Sequence, residues 1–133
     1  MEASPASWHV LCPADATVFD ARDGAAPLRG RPVGCRVVVV DGRWGSRRRL
    51  RRLAQDAGVA ISRELVLLPG RNAPAAVIDD SPDAVRLFWA TVEASPGLRH
   101  PRATSLLAAV AGRLPWFWTG VAAPGRVLIG TRL

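Results

Sequence analysis

The order of hydrophobic and polar positions predicts a chain in which strands alternate with helices. The clearest strand is Arg36–Asp41, because four consecutive valines are typical of a strand buried on both faces of a sheet. Residues 46–57 predict a helix, with Ser46 as its N-cap and Gly58 as its stop. The apolar positions of this helix recur at helical spacing, at Leu50, Leu53, Ala54 and Ala57.

Weaker patterns predict the other elements. Strands are predicted at residues 8–12, 17–20, 59–68, 75–78 and 126–131. A second helix begins at Ser81-Pro82-Asp83 and ends before Pro96-Gly97, and a third covers residues 101–114. Residues 21–34 predict a loop. We therefore expect an α/β fold, a mixed sheet of about four to six strands with about three helices.

The same pattern predicts one domain and no transmembrane segment. Residues 1–7 predict a flexible tail, and residues 8–133 a single small α/β domain. The most apolar window, residues 105–123, is interrupted by Arg113 and Pro115, so no transmembrane segment is expected. The N-terminus lacks the basic and apolar pattern of a signal peptide. Two cysteines do not make a disulfide framework, which favours a cytoplasmic protein.

The positions of the charged residues say more about function than the net charge does. The formal net charge is +7, and all 18 basic residues are arginine. The absence of lysine, beside abundant Ala, Gly and Pro, is typical of a GC-rich bacterial genome. The high arginine content is therefore a weak functional signal by itself, and the positions of the arginines carry more weight.

The first candidate site is the turn at residues 41–46. It follows the most buried strand and leads into a helix, where free backbone N–H groups suit an anion. Its candidate ligand-binding residues are Asp41, Arg43, Trp44 and Ser46, of which Trp44 would offer a stacking face. The alternative is purely structural: the glycines form a tight turn, Ser46 caps the helix and Trp44 packs on the core.

The second candidate is an arginine cluster that overlaps this turn. Its members are Arg43, Arg47, Arg48, Arg49, Arg51 and Arg52. Arg47/Arg51 and Arg48/Arg52 are like-charge pairs at i,i+4 near a helix N-terminus, where positive charge is unfavourable. This local cost indicates an anionic partner such as phosphate, nucleic acid, an acidic protein or a lipid head group. The alternative is a solvated face.

Other residues give weaker candidates. Asp79-Asp80 could hold a metal or act in acid–base catalysis, but helix-start chemistry explains Asp80 and Ser81 better. His9 could activate the thiol of Cys12, although neither residue has a partner at metal-ligand spacing, and no metal is expected. Residues 116–118 (WFW) predict either a core plug or an exposed aromatic patch.

Residues 36–68 and 125–133 resemble the closing half of a class I S-adenosylmethionine-dependent methyltransferase. The resemblance rests on RVVVVD, the helix RRLRRLAQDAGV, the strand SRELVLLPG, and the terminal strand GRVLIGTRL. It implies a late core strand, the last helix and the last two strands of that family. The family binds its cofactor at a Gly-rich loop after the first strand. Residues 1–35 contain no such loop between a strand and a helix, so no residue is assigned to S-adenosylmethionine.

Three functional hypotheses remain open at this point. The first is a methyltransferase-like binding or accessory module, with a protein partner that completes the sheet. The second is a small basic protein that binds an anion or nucleic acid through residues 43–52. The third is an active methyltransferase, or one that a partner completes.

Overall fold

Eight regular elements organise the computed structural model, which describes residues 7–68, 76–94, 110, 113–115, 118 and 125–133. The strands are β1 (Thr17–Asp20), β2 (Arg36–Asp41), β3 (Val59–Leu68), β4 (Ala76–Asp79) and β5 (Arg126–Arg132). The helices are α1 (Ala26–Arg29), α2 (Ser46–Ala57) and α3 (Pro82–Ala94). Two short 3-10 helices, Ser7–Leu11 and Ala21–Asp23, precede β1 and α1. Together they form one small α/β domain.

The five strands form one mixed sheet in the order β1-β2-β5-β3-β4. Strands β1 and β2 are parallel, and every other neighbouring pair is antiparallel. The final strand therefore lies between β2 and β3, which α2 connects. The mixed sheet with its helices confirms the expected α/β class, and the parallel pairing of β1 with β2 places their carboxyl ends side by side.

The core has two layers because successive valines of β2 point to opposite faces of the sheet. Val37 and Val39 pack on one face with α2 residues, which include Leu50, and with Leu28 of α1. Val38 and Val40 pack on the other face in a cluster that includes Trp8. All four valines are buried, as their uninterrupted apolar run predicts.

Gly130 explains how β5 fits between its neighbours. A Cβ at this position would lie 2.5 Å from the carbonyl oxygen of Ala60 and 2.6 Å from a methyl group of Val59. The register between β3 and β5 also shifts between Ile61 and Arg63. The absence of a side chain at Gly130 therefore allows the two backbones to approach closely.

The sequence predicts most of these elements within one or two residues. Strands 17–20, 36–41, 59–68 and 126–131 are confirmed, and helices begin near residues 46 and 82 as expected. The strand predicted at residues 8–12 is wrong, because this segment is a 3-10 helix that buries Trp8 and exposes Val10. The loop predicted at residues 21–34 contains α1, whose Leu28 enters the core.

Some predictions fall on residues that the structure does not describe. Residues 1–6 of the tail predicted at 1–7 and almost all of the helix predicted at 101–114 lie outside the described residues, as do Trp116 and Phe117. Ser7 is the first residue of a 3-10 helix. Within the described part of the chain, no helix has the length and apolar character needed to cross a bilayer.

Candidate functional site

A cleft of about 550 Å³ opens at the carboxyl-end side of β1 and β2. The chain that follows β1 contributes Gly24 and Ala25 to one wall. The turn after β2 and one face of α2 form the other wall, through Gly45, Arg48, Arg49, Arg52, Leu53 and Asp56. Ligands of open α/β sheets bind at this end of the strands, so the position agrees with a binding site.

Each wall of the cleft contains a glycine with a positive φ angle. Gly24 and Gly45 have φ angles of 75° and 72°, in the left-handed region that favours glycine. Arg29 on α1 donates from Nε to the carbonyl oxygen of Asp56 at 3.1 Å. This bond joins α1 to the end of α2, next to the cleft residue Asp56.

The carboxylate of Asp41 binds two members of the arginine cluster. Its side chain is 1% exposed, and its Oδ1 accepts from the backbone N–H of Arg43 at 2.9 Å and from Nε of Arg43 at 3.1 Å. Arg49 Nε lies 3.0 Å from Oδ2 of the same carboxylate. Asp41 is therefore the internal counter-ion of Arg43 and Arg49. These two arginines account for its buried carboxylate without a bound ligand.

Two further members of the cluster point to a different group of acids. Arg47 Nη2 lies 3.1 Å from Oδ2 of Asp80, and Arg51 donates to both carboxylate oxygens of Glu64, at 2.9 Å and 2.8 Å. Arg126, which is fully buried, bonds Asp80 and lies 3.5 Å from Glu64. These five side chains form one ion network between α2, β3, β5 and the start of α3.

The pKa shifts in this network agree with its geometry. Burial alone raises the pKa of Glu64, but the hydrogen bond from Arg51 and the charges of Arg126, Arg51 and Arg47 outweigh burial, so the net shift is downward. The same hydrogen bond raises the pKa of Arg51. Burial lowers the pKa of Arg47, and Asp80 opposes that shift. Glu64 therefore favours the charged form of Arg51, whereas burial disfavours the charge of Arg47 and Asp80 offsets that effect only in part.

Arg48 and Arg52 differ from the rest of the cluster. Both are exposed, both line the cleft, and neither makes a hydrogen bond or ion pair with any described residue. They lie four residues apart on α2, so their guanidinium groups project from one face of the helix. Among the predicted site residues, these two are the ones whose charge is available to a ligand in the cleft.

The structure corrects two predictions about the turn. Ser46 is not the N-cap, because Gly45 occupies that position and Ser46 is the first residue of α2. Its hydroxyl is buried and has no hydrogen-bond partner among the described residues. The alternative in which Trp44 packs on the core is also wrong, since Trp44 is 69% exposed. Trp44 lies next to Gly45 at the edge of the cleft.

The eight predicted site residues therefore do not form one site. Arg48 and Arg52 line the cleft, and Asp41 and Arg43 pair beside it. Arg47 and Arg51 belong to the ion network with Asp80, Glu64 and Arg126. Sequence reasoning missed Gly24, Ala25, Leu53 and Asp56 as lining residues. Residues 48, 52 and 56 are spaced four apart, which places them on one stripe of the helix. This spacing could have predicted that Asp56 lines the cleft together with Arg48 and Arg52.

The weaker candidates have structural roles. Asp79 forms an ion pair with Arg63 at 2.6 Å, and Ser81 Oγ accepts from the backbone N–H of Ala84 at 3.3 Å, as expected of a helix start. The thiol of Cys12 donates to the carbonyl oxygen of Trp8 at 3.7 Å, and burial raises its pKa, which opposes thiolate formation. No group of three metal-ligating side chains occurs among the described residues.

Comparison of the chain with protein-family models, with curated proteins and with solved structures gives no match.

Proposed function

We propose that this chain is a binding module that holds a small anionic group, such as a phosphate, between Arg48 and Arg52. The observation that carries this proposal is the division of the arginine cluster. Arg43 and Arg49 are paired with Asp41, and Arg47 and Arg51 with Asp80 and Glu64. Arg48 and Arg52 have no such counter-ion in the described chain, and both face the cleft.

Electrostatics of the helix support an anionic ligand. Two positive charges at i,i+4 repel each other by about 0.2–0.5 kcal/mol. Positive charge in the first turn of a helix, where Arg48 lies, is also unfavourable with the helix dipole. No acidic residue occurs in the first turn of α2 to offset either cost. A bound anion would relieve both, and guanidinium groups bind phosphate oxygens through charge-assisted hydrogen bonds.

The same division favours a small anion over nucleic acid. Six free arginines would form an extended basic surface, but internal acids engage four of them. Neutralising two phosphates gives a slope of about −2 for the logarithm of affinity against the logarithm of salt concentration, whereas six would give about −5. Weak oligonucleotide binding with a slope near −2 would agree with the proposal.

Calorimetric titration with inorganic phosphate tests the proposed function. The double variant Arg48→Gln/Arg52→Gln should bind phosphate about ten-fold more weakly or worse, since each charged hydrogen bond contributes about 1.5–3 kcal/mol. The matched control, Arg36→Gln/Arg86→Gln, removes the same charge from exposed arginines outside the cleft. Equal phosphate affinity for both double variants would contradict the proposal.

A second candidate is that the framework is the closing half of a methyltransferase-like fold and acts as an accessory module. It is supported by the order β2, α2, β3, followed by a last strand that pairs antiparallel with both β2 and β3. This is the order of the last helix and strands that the sequence resemblance implies. Strand β1 has one neighbour among the described strands, so its free edge would accept a strand from a protein partner.

Titration with S-adenosylmethionine separates this candidate from an active methyltransferase. We expect no saturable binding to the chain alone, because no Gly-rich loop joins a strand to a helix in residues 1–35. Saturable binding would support the active enzyme instead. Cys12 and Cys35 are both free thiols, which suits the reducing cytoplasm that we propose for the protein.

A further inference from the structure

We propose that the ligand of the cleft is a zwitterionic phosphate monoester, a phosphate group joined by a short carbon chain to an ammonium group. This inference rests on the proposed anion site at Arg48 and Arg52 and adds the chemistry of the opposite end of the cleft. That end is formed by Asp56, which is exposed and lines the cleft.

The carboxylate of Asp56 is available to a ligand. It makes no ion pair or side-chain hydrogen bond with the described residues, and the bond from Arg29 goes to its backbone carbonyl oxygen instead. Arg52 lies four residues before Asp56 on α2, yet the two side chains form no ion pair. An arginine that precedes an acid is the less favourable orientation for an i,i+4 pair, which agrees with this separation.

Helix geometry sets the spacing of the two charged ends. Residues 48, 52 and 56 lie on one stripe of α2 and rise by about 6 Å at each step. Positive charge therefore occupies the N-terminal part of the stripe, and the negative charge lies one turn beyond Arg52. A ligand with an anionic and a cationic group a few bonds apart matches this order.

Apart from the charged residues, the cleft lining is apolar. Leu53 and Ala25 contribute side chains, Gly24 and Gly45 carry none, and the remaining lining residue, Arg49, is paired with Asp41. This surface would contact a short hydrocarbon linker without leaving polar groups unpaired. The cleft volume of about 550 Å³ lies within the range of about 300–1,000 Å³ that holds small ligands in proteins.

Two probes that differ in one amino group test this inference: O-phosphoethanolamine and ethyl phosphate. The wild-type protein should bind O-phosphoethanolamine about two- to five-fold more tightly, the gain expected from an exposed charge pair with Asp56. The variant Asp56→Asn should weaken O-phosphoethanolamine binding and slightly strengthen ethyl phosphate binding, because it also removes a charge that repels phosphate. The control Asp83→Asn, an exposed acid on α3, should change neither affinity.

Opposite changes for the two probes cannot arise from misfolding, which would weaken both. If the wild-type protein binds ethyl phosphate but gains nothing from the amino group, the inference is overturned while the anion site stands. If the Asp56→Asn variant keeps the full preference for O-phosphoethanolamine, the inference is also overturned. If the wild-type protein binds neither probe, both the inference and the proposed function fail.

Discussion

Arg126 and Asp80 form an ion pair that is almost completely withdrawn from solvent, with side chains 1% and 0% exposed. The pair joins the first residue of β5 to the turn that starts α3, and Arg47 and Glu64 extend it to α2 and β3. Parts of α2, β3, β5 and the start of α3 therefore meet at one set of charges.

Removal of one partner from this network should destabilise the fold strongly. Asp80→Ala leaves Arg126 buried without its nearest counter-ion, and breaking a buried pair costs about 3–5 kcal/mol. Urea unfolding followed by circular dichroism measures the change. The control is Asp15→Ala, which removes an exposed carboxylate that lies 3.8 Å from Arg36, and it should cost less than about 1 kcal/mol. A similar loss in both variants would contradict a special role for Asp80.

Stability should fall as the solution becomes acidic. The folded-state pKa of Glu64 lies below its ordinary value of 4.5, and that of Asp79 lies below 3.8. A lowered pKa means that the unfolded chain binds more protons, so this stabilisation is present above those ordinary values and is lost as pH falls through the folded-state values. Urea midpoints measured from pH 7 to pH 3 should drop mainly below about pH 4.5.

The variant Glu64→Gln isolates one part of that pH dependence. It should be less stable than wild type at pH 7, because Arg51 and Arg126 lose a charged partner, and the difference should narrow towards pH 3. A constant difference across this range would show that the charge of Glu64 does not stabilise the fold.

Because β3 and β5 approach closely at Gly130, one methyl group added at this position should destabilise the fold. Gly130→Ala would place Cβ 2.5 Å from the carbonyl oxygen of Ala60, a backbone atom that cannot move without disturbing the ladder. Overpacking of this kind costs about 1–3 kcal/mol. The control Gly30→Ala has a negative φ and its nearest neighbour at 3.6 Å, so it should be nearly neutral. Thermal denaturation of the two variants compares them directly.

Substitution of the unpaired arginines, Arg48 and Arg52, and substitution of the paired Arg47 should have opposite effects on stability. Arg48→Gln/Arg52→Gln should leave the free energy of unfolding unchanged or raise it by about 0.2–0.5 kcal/mol, because it removes a repulsion. Arg47→Gln should lower that free energy, because it takes a charged partner from the buried side chain of Asp80. Chemical denaturation in low salt measures both. Destabilisation by the double variant would show that Arg48 and Arg52 have internal partners.

Local sequence patterns predicted the elements whose burial is uniform. The four valines of β2 and the apolar stripe of α2 indicate their structure directly, because each is buried along its whole length. The strand predicted at residues 8–12 was wrong, because a single side chain, Trp8, packs on the sheet while Val10 faces solvent. A strand would alternate, but five residues are too few to distinguish that pattern from a single anchor.

The sequence pointed to the turn beside the cleft, but it did not distinguish the residues that line the cleft from those that do not. The turn after β2 was expected at the carboxyl ends of the strands, and Gly45, Arg48 and Arg52 line the cleft there. The sequence could not separate these arginines from Arg47 and Arg51, since the acids that neutralise the latter lie on β3 and before α3. That separation depends on which face of α2 each arginine occupies once the sheet has formed.

Site-resolved NMR of the arginine Nε–Hε groups during a phosphate titration tests the central claim most directly. We predict that the signals of Arg48 and Arg52 shift together and saturate at one dissociation constant, while those of Arg47 and Arg51 stay in place. Chemical-shift changes spread across the whole cluster, or no saturable change at Arg48 and Arg52, would contradict the proposal that these two residues bind an anion in the cleft.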